Sequence, residues 1–197
     1  MGDKSVRKKQ YIVEKAREVF AQKGYKDVTM KDIVDACEIS RGGLYLYFDS
    51  TRELFIEVLN KEQEEEDLLG GKISENSTAA EILVLFLVEQ KKDILRKRNS
   101  LIKATYEFYF QERPEKNKDI FRKDFDSAVK VLQRVIEIGV QNEELICEKP
   151  EDAAKNIMLT LEGLKIMSQT IGVTAELIDK QFIYILSTLG VEDDSEG

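Results

Sequence analysis

Residues 29–48 read TMKDIVDACEISRGGLYLYF, and this stretch decides the fold prediction because it contains two helix starts close together. Thr29 is placed to cap a first helix that ends near Cys37, since a threonine hydroxyl can accept a free N–H group of the first helical turn. Ser40 is placed to cap a second helix in the same way. Two short, separately capped helices with about three residues between them predict a helix-turn-helix.

Helices are also predicted on both sides of this motif. Apolar residues between Ser5 and Lys23 recur at helical spacing, and Gly24 follows as a C-terminal cap. Ser50 to Glu53 form a capping box that opens another helix. The N-terminal arm is either a solvated, frayed terminus or a phosphate contact. Its positive charge comes from Lys4, Arg7, Lys8 and Lys9.

The rest of the chain also has a helical pattern. It contains only 11 glycines and 2 prolines, and few β-branched residues alternate with polar ones. Thr78 to Glu81 form a capping box, which makes the apolar run 82–88 a buried helix rather than a strand. The predicted fold is all-α with about nine helices, in which a three-helix head precedes a helical bundle. The remaining segments are helices over about 99–111, Pro114 to 141, Pro150 to 171 and 175–189, then a disordered tail over 191–197.

Missing residue types exclude several classes of function. The chain has no histidine, which excludes His-based acid–base catalysis, Ser-His and Cys-His nucleophile pairs and histidine metal sites. We therefore expect no enzyme activity, no metal and no cofactor. The two cysteines lie far apart, no apolar run is long enough to span a bilayer, and the N-terminus is polar. These features predict a cytoplasmic protein without membrane contact.

The net charge of −8 looks unfavourable for DNA binding, but the charge is unevenly distributed. Residues 1–60 carry 11 basic and 10 acidic side chains, a net charge of +1, whereas the remaining residues carry a net charge of −9. A near-neutral head on an acidic body is compatible with one face that contacts phosphate.

Around this motif the sequence resembles the TetR/AcrR family of bacterial transcription regulators. The head of that family often reads T-x-x-x-I-A, then G-V-S-x-G-x-L-Y-x-Y-F, then a helix that begins S-K-x-x-L. The resemblance covers roughly residues 6–60, and the remainder matches only in length and helical pattern. The positions that match in register are Ile33, Ser40, Gly42, Leu44, Tyr45, Tyr47, Phe48, Ser50 and Leu54.

The resemblance implies that the second helix of the motif enters the major groove of DNA, which is about 12 Å wide. It implies that Tyr45 reaches a base or a thymine methyl group and that Tyr47 reaches a phosphate, with core packing as the alternative for both. Arg41 can reach a phosphate or a guanine edge. Gly42 allows close approach either to DNA or to the preceding helix. The predicted DNA-binding residues are Thr29, Lys31, Ser40, Arg41, Gly42, Gly43, Tyr45, Tyr47, Thr51 and Arg52.

Three positions depart from the family pattern. Glu38 stands where a turn glycine is usual, and it is strained if the turn requires a positive φ. Gly43 replaces a residue that can read bases, and Thr51 replaces a lysine that binds phosphate, although Arg52 can substitute for it. These changes affect the DNA contacts rather than the fold.

Residues 1–50 are predicted to be the DNA-binding domain, and residues 51–197 to be the ligand-binding and dimerisation domain. The resemblance implies a small-molecule inducer and a homodimer, although ordinary core packing is the alternative for each pocket residue. The candidate pocket residues are Tyr106, Phe110, Phe121, Phe125, Met158 and Glu162. The candidate dimer residues, on apolar stripes of the last two helices, are Ile157, Leu161, Leu164, Ile178, Phe182, Ile185 and Leu189.

The function that these patterns predict is a dimeric repressor that binds a palindromic double-stranded DNA operator and is released by a small-molecule effector. An activator or global regulator on the same fold is one alternative. A helical interaction module without DNA binding is another. A helical-bundle enzyme is a third, but the sequence lacks a reactive constellation for it.

Overall fold

The computed structural model of the chain describes residues 3–68, 77–96, 100–112 and 120–191. These residues form nine α-helices and no strand, so the all-α prediction is confirmed. None of the described helices is both long enough and apolar enough to cross a membrane. In chain order the helices are α1 Asp3–Lys23, α2 Met30–Cys37, α3 Arg41–Tyr45, α4 Thr51–Leu68, α5 Ala79–Leu95, α6 Ile102–Glu112, α7 Ile120–Gln141, α8 Pro150–Thr170 and α9 Ala175–Thr188.

Side-chain caps start the helices where the sequence predicts them. The Thr29 hydroxyl accepts the backbone N–H of Asp32 at 3.3 Å, and the Asp32 carboxylate accepts the backbone N–H of Thr29 at 2.8 Å. Thr78 and Glu81 form the same reciprocal pair at the start of α5. The capping box predicted at the start of α4 is only half formed. The Ser50 hydroxyl accepts the N–H of Glu53, but the Glu53 carboxylate accepts the N–H of Asp49 instead of that of Ser50.

Helix boundaries agree with the predictions to within a few residues. α1 begins at Asp3, so the basic residues that follow it are helical rather than frayed, although Lys4, Arg7 and Lys8 are exposed to solvent. α6 begins at Ile102, whose N–H is accepted by the Ser100 hydroxyl at 3.3 Å. The predicted helix start at Pro114 and the tail from residue 192 lie outside the described residues.

The chain divides into two compact units. Unit 1 contains α1 to α4 together with α6, and unit 2 contains α5 and α7 to α9. The first unit therefore extends beyond the predicted DNA-binding domain of residues 1–50, since it includes two further helices. The functional division at residue 50 remains a prediction.

An aromatic cluster joins the helices of unit 1. Phe55 of α4 lies 4.6 Å from Phe20 of α1 and 5.3 Å from Phe108 of α6, measured between ring centroids. Tyr25 packs on both Phe55 and Phe108, at 5.1 and 5.0 Å. Aromatic pairs at these separations add stability beyond the apolar area that they bury. α6 is thus part of the core that supports the helix-turn-helix.

Unit 2 has its own apolar core, in which α8 packs against α5, α7 and α9. Its fully buried side chains include Leu161 of α8, Ile136 of α7 and Ile178 of α9. Gly139 allows a close crossing, since a Cβ there would lie 2.5 Å from Leu145 Cδ1.

Candidate nucleic-acid interface

The turn between α2 and α3 is closed by backbone hydrogen bonds and by one strained residue. Glu38 adopts φ 53° and ψ 40°, the left-handed region that favours glycine. Its N–H donates to Asp35, and the N–H of Ile39 donates to Val34, both at 3.3 Å. A side chain in this region costs roughly 1–2 kcal/mol. The strain anticipated at Glu38 is therefore present, and the turn keeps its shape.

α3 is anchored on one face and open on the other. Leu44 and Phe48 are buried in unit 1, and the Ser40 hydroxyl accepts the N–H of Gly43 at 3.1 Å. Buried residues one turn apart fix the roll of a helix about its axis. The exposed face that results carries Arg41, Gly42, Tyr45 and Leu46.

Two side chains on this face support each other. The Arg41 guanidinium carbon lies 5.5 Å from the Tyr45 ring centroid, and the tyrosine is 39% exposed. A guanidinium above an aromatic ring is attracted by the ring quadrupole, so each side chain limits the motion of the other. Both predicted DNA contacts are therefore accessible and held together.

Gly42 and Gly43 differ in what surrounds them. A Cβ at Gly42 would meet no heavy atom within 4 Å, so the interpretation that Gly42 packs against α2 is wrong. A Cβ at Gly43 would lie 3.1 Å from the Ser40 hydroxyl oxygen and 3.8 Å from the Lys8 ammonium nitrogen. Gly42 thus offers bare backbone to an external partner, whereas Gly43 leaves room for Lys8.

Lys8 is a candidate contact that the sequence alone did not single out from the basic arm. Its ammonium lies 6.0 Å from the Tyr47 ring centroid, and the Ser5 hydroxyl donates to the Tyr47 hydroxyl at 3.5 Å. Among the described residues, no carboxylate forms an ion pair with Lys8, whereas the adjacent Lys9 pairs with Glu57. Tyr47 is therefore partly packed against α1, and Lys8 adds positive charge next to α3.

The predicted contacts at the start of α4 are less available. Thr51 is half-buried, and Arg52 Nε donates to Glu112 Oε2 at 3.1 Å. The Tyr25 hydroxyl donates to the other oxygen of Glu112 at 2.7 Å. Burial, and then this hydrogen bond, raise the pKa of Tyr25. The Arg52 guanidinium, which is predicted to bind phosphate, is thus already hydrogen-bonded to Glu112 of α6.

The start of α2 is fixed by a small polar network. Asp32 Oδ1 accepts a hydrogen bond from Lys23 Nζ at 2.5 Å. That hydrogen bond, followed by those from the Thr29 hydroxyl and N–H, holds the pKa of Asp32 well below its usual range. Thr29 is consequently occupied within its cap, whereas Lys31 on the same turn is exposed.

The six candidate pocket residues are divided between the two units. Tyr106 and Phe110 belong to unit 1, and Phe110 is 77% exposed. The other four belong to unit 2, where Met158 is buried in the core and Glu162 accepts a hydrogen bond from Lys165 at 3.0 Å. Neither unit alone assembles the pocket, which stays a prediction.

Two surface grooves are formed by other residues. A groove of about 350 Å³ in unit 1 lies between α1 and α4 and is lined by Val13, Glu14, Arg17, Glu18, Val58, Lys61 and Glu62. A second, of about 170 Å³ in unit 2, lies between α8 and α9 and is lined by Ala153, Asn156, Ile157, Tyr184, Ile185, Thr188 and Leu189. Neither groove contains a candidate pocket residue.

The candidate dimer residues face the interior of unit 2. All seven are at most 6% exposed in the single chain, so they form the core that holds α8 and α9 in place. The apolar surface that these helices leave open consists of different residues. They are Leu159, Ile166, Ile183 and Tyr184.

Two sequence families match the chain. Residues 12–58 match the family described as bacterial regulatory proteins, tetR family, and residues 82–178 match the tetracyclin repressor-like C-terminal domain. Together these ranges cover more than half of the chain.

Known proteins resemble the chain in sequence and in fold. The uncharacterized HTH-type transcriptional regulator YfiR of Bacillus subtilis (strain 168) is 29% identical over 68% of this chain. The chain spans 65% of that relative's length, and less of the other curated regulators that it matches.

Solved structures share the fold over most of the chain. A transcriptional regulator from Saccharomonospora viridis in complex with choline has a TM-score of 0.79 at 17% identity, covering 91% of this chain and 95% of that one. The transcriptional regulator FadR of Bacillus subtilis in complex with stearoyl-CoA has a TM-score of 0.74 at 18% identity, covering 91% and 98%.

Proposed function

Because the chain belongs to the TetR family of bacterial regulators, which are non-enzymatic DNA-binding proteins, we propose that it is a dimeric repressor released from a palindromic operator by a small molecule. The observation that carries this proposal is the exposed face of α3, held outward by the buried Leu44 and Phe48. Such a protein acts on the chromosome, in the cytoplasm.

The DNA contacts follow from the surroundings of α3. Gly42 lets the backbone approach a base pair, because no side chain stands between them. Arg41 and Tyr45 are exposed beside it and reach base edges in the major groove. Lys8 and Lys31 contribute phosphate contacts, which position the helix and supply the salt-sensitive part of the affinity.

The dimer forms through the exposed faces of α8 and α9. Leu159, Gly163 and Ile166 recur at helical spacing along α8, and a Cβ at Gly163 would meet nothing within 4 Å. A bare position between two aliphatic side chains allows a helix of a second copy to approach closely. Ile183 and Tyr184 are exposed apolar residues of α9. To bind the two halves of a palindrome in successive turns of the major groove, the two α3 helices of such a dimer must lie about 34–36 Å apart.

The effector is a small molecule bound within the C-terminal helices. Structural neighbours of this fold were solved with choline and with stearoyl-CoA, two ligands with little chemistry in common. Tyr106 and Phe110 of unit 1, and Phe121, Phe125, Met158 and Glu162 of unit 2, remain candidate effector contacts. Complete release requires about 5.5 kcal/mol of differential affinity, whereas one site typically couples by about 1–3 kcal/mol. We therefore expect both protomers to bind effector for a sharp switch.

Selection of bound duplexes from fragments of the source genome tests this proposal. We expect one enriched palindromic site, bound by the wild type and bound on the order of tenfold more weakly by Arg41→Ala and Tyr45→Ala, with the folding of both variants confirmed by circular dichroism. Absence of any enriched site, or duplex binding unchanged in both variants, would contradict it. Reporter expression that falls when the gene is deleted would indicate an activator instead.

A further inference from the structure

Leu46 is the most exposed of the large hydrophobic side chains in the described part of the chain, at 82%. It follows α3 directly, in right-handed helical conformation with φ −69° and ψ −18°. Its neighbours Leu44 and Phe48 are buried and anchor the segment to unit 1. Leu46 therefore adds almost nothing to the core of its own protomer.

The position of Leu46 aligns it with the proposed DNA-contacting face. Its N–H donates to the Gly42 carbonyl at 3.2 Å, so the leucine lies one turn beyond the bare glycine on the same face of the helix. The neighbouring stripe carries Arg41 stacked on Tyr45. An isolated exposed leucine needs no explanation, but this one continues a surface whose partner is double-stranded DNA.

The major groove offers one apolar group to such a side chain. Thymine presents its C5-methyl group there, whereas the other groups that distinguish the base pairs are hydrogen-bond donors and acceptors. A leucine has no polar atom in its side chain, so it can favour the methyl group but cannot hydrogen-bond to a base edge. The open backbone at Gly42 allows the segment to descend until Leu46 reaches that depth.

We propose that Leu46 is a specificity-determining residue that reads a thymine methyl group in each half of the operator. The proposal rests on the DNA-binding function proposed above and adds a base preference to it. It makes Leu46 a third residue that contacts bases, in addition to Arg41 and Tyr45.

Replacement of thymine by deoxyuridine tests the contact, because it removes the methyl group and leaves base pairing unchanged. The probe is the tightest duplex selected from a random-sequence library by the wild type, with each thymine replaced in turn. Fluorescence anisotropy gives the Kd for the wild type, Leu46→Ala, Tyr45→Ala and Val131→Ala. Val131 is a matched control because it is a 64% exposed aliphatic residue on α7.

We expect one thymine in each half-site at which deoxyuridine weakens wild-type binding about fourfold, the value of one buried methyl-sized group. Leu46→Ala should bind the thymine and deoxyuridine duplexes equally at that position, whereas Val131→Ala should behave as the wild type. Thermal unfolding of Leu46→Ala should match that of the wild type, because so little of the side chain is buried.

Two outcomes overturn the proposal while the proposed function stands. One is a duplex bound tightly with no methyl-dependent position. The other is a methyl dependence that persists in Leu46→Ala and disappears in Tyr45→Ala, which would assign the methyl group to the tyrosine. Failure of the wild type to select any duplex would instead contradict the proposed function itself, and the Leu46 proposal with it.

Discussion

Gly42 in unit 1 and Gly163 in unit 2 are both helical and exposed, and a Cβ at either would meet nothing within 4 Å. Gly24 and Gly139 contrast with them, because a Cβ would collide with Glu107 at the first and with Leu145 at the second. Packing within the protomer therefore explains why Gly24 and Gly139 are glycines. It does not explain Gly42 and Gly163, which we call the open glycines. Since glycine costs a helix about 1 kcal/mol relative to alanine, the open glycines support the proposed contacts of these surfaces with DNA and with a second copy.

The side chains around the two open glycines indicate different partners. Arg41 flanks Gly42 directly, and Lys8 lies beside the adjacent Gly43, so this face is cationic and suits a polyanion. Leu159 and Ile166 flank Gly163, so this face is aliphatic and suits a second copy of the same helix. Five substitutions test these two surfaces and the residues beside them.

The largest effect is expected from a charge on the aliphatic face. Leu159→Glu should convert the dimer to a monomer and weaken operator binding on the order of 100-fold or more, because the second half-site no longer binds at high effective concentration. Light scattering after size exclusion and anisotropy measure the two changes. Val131→Glu is the matched control on α7. A dimeric Leu159→Glu would place the interface elsewhere.

A methyl group at each open glycine should separate the two functions. Gly42→Ala should bind the operator on the order of tenfold more weakly, because it lifts α3 from base contacts worth about 1–3 kcal/mol each. Gly163→Ala should weaken the dimer, as measured by sedimentation-equilibrium ultracentrifugation. At protein concentrations at which the variant is fully dimeric, it should bind the operator as tightly as the wild type. Neither should lower the unfolding temperature, since alanine favours a helix. Operator binding unaffected by Gly42→Ala would contradict close approach.

Lys8→Gln should weaken binding several-fold on every duplex. The loss of one phosphate contact per protomer should reduce the slope of log affinity against log salt by about 0.9 for each contact. Lys15→Gln is the control, since it removes the same charge from α1 at a position paired with Glu18. A slope identical in Lys8→Gln and the wild type would remove Lys8 from the interface.

The smallest effect is expected at Glu112. Glu112→Gln should free Arg52 for phosphate and tighten operator binding by up to about fivefold, since an exposed ion pair is typically worth about 0.2–1 kcal/mol. The amide oxygen of the glutamine can still accept the Tyr25 hydroxyl. Glu151→Gln, which disrupts an exposed pair on α8, controls for net charge. Equal effects of the two variants would exclude a local role for Arg52.

The helix-turn-helix was predictable because its determinants are local. Thr29, Ser40 and Thr78 cap the helices that follow them, and each cap depends on a residue only three positions away. The positive φ of Glu38 was anticipated from the resemblance, because the family usually has a turn glycine at this position. Spacing within one turn of a helix is visible in sequence before any tertiary contact is known.

Contacts between distant elements were not predictable in this way. α8 and α9 are apolar on more than one side, so periodicity could not show that Leu161 faces inward while Leu159 faces outward. Lys8 reaches Gly43 across 35 positions of sequence, and no local pattern encodes that approach. Leu46 has the composition of a core residue, and only the fixed roll of α3 exposes it.

Unit 1 is assembled from two separate stretches of the chain, because α6 belongs to it while α5 belongs to unit 2. α1 to α4 are synthesised before Phe108, so Tyr25 and Phe55 initially lack the ring that packs against them. A fragment that ends after α4 would expose this aromatic surface and tend to self-associate. A chimaera that transfers the DNA preference to another regulator should therefore exchange the exposed residues of α3, not a continuous N-terminal block.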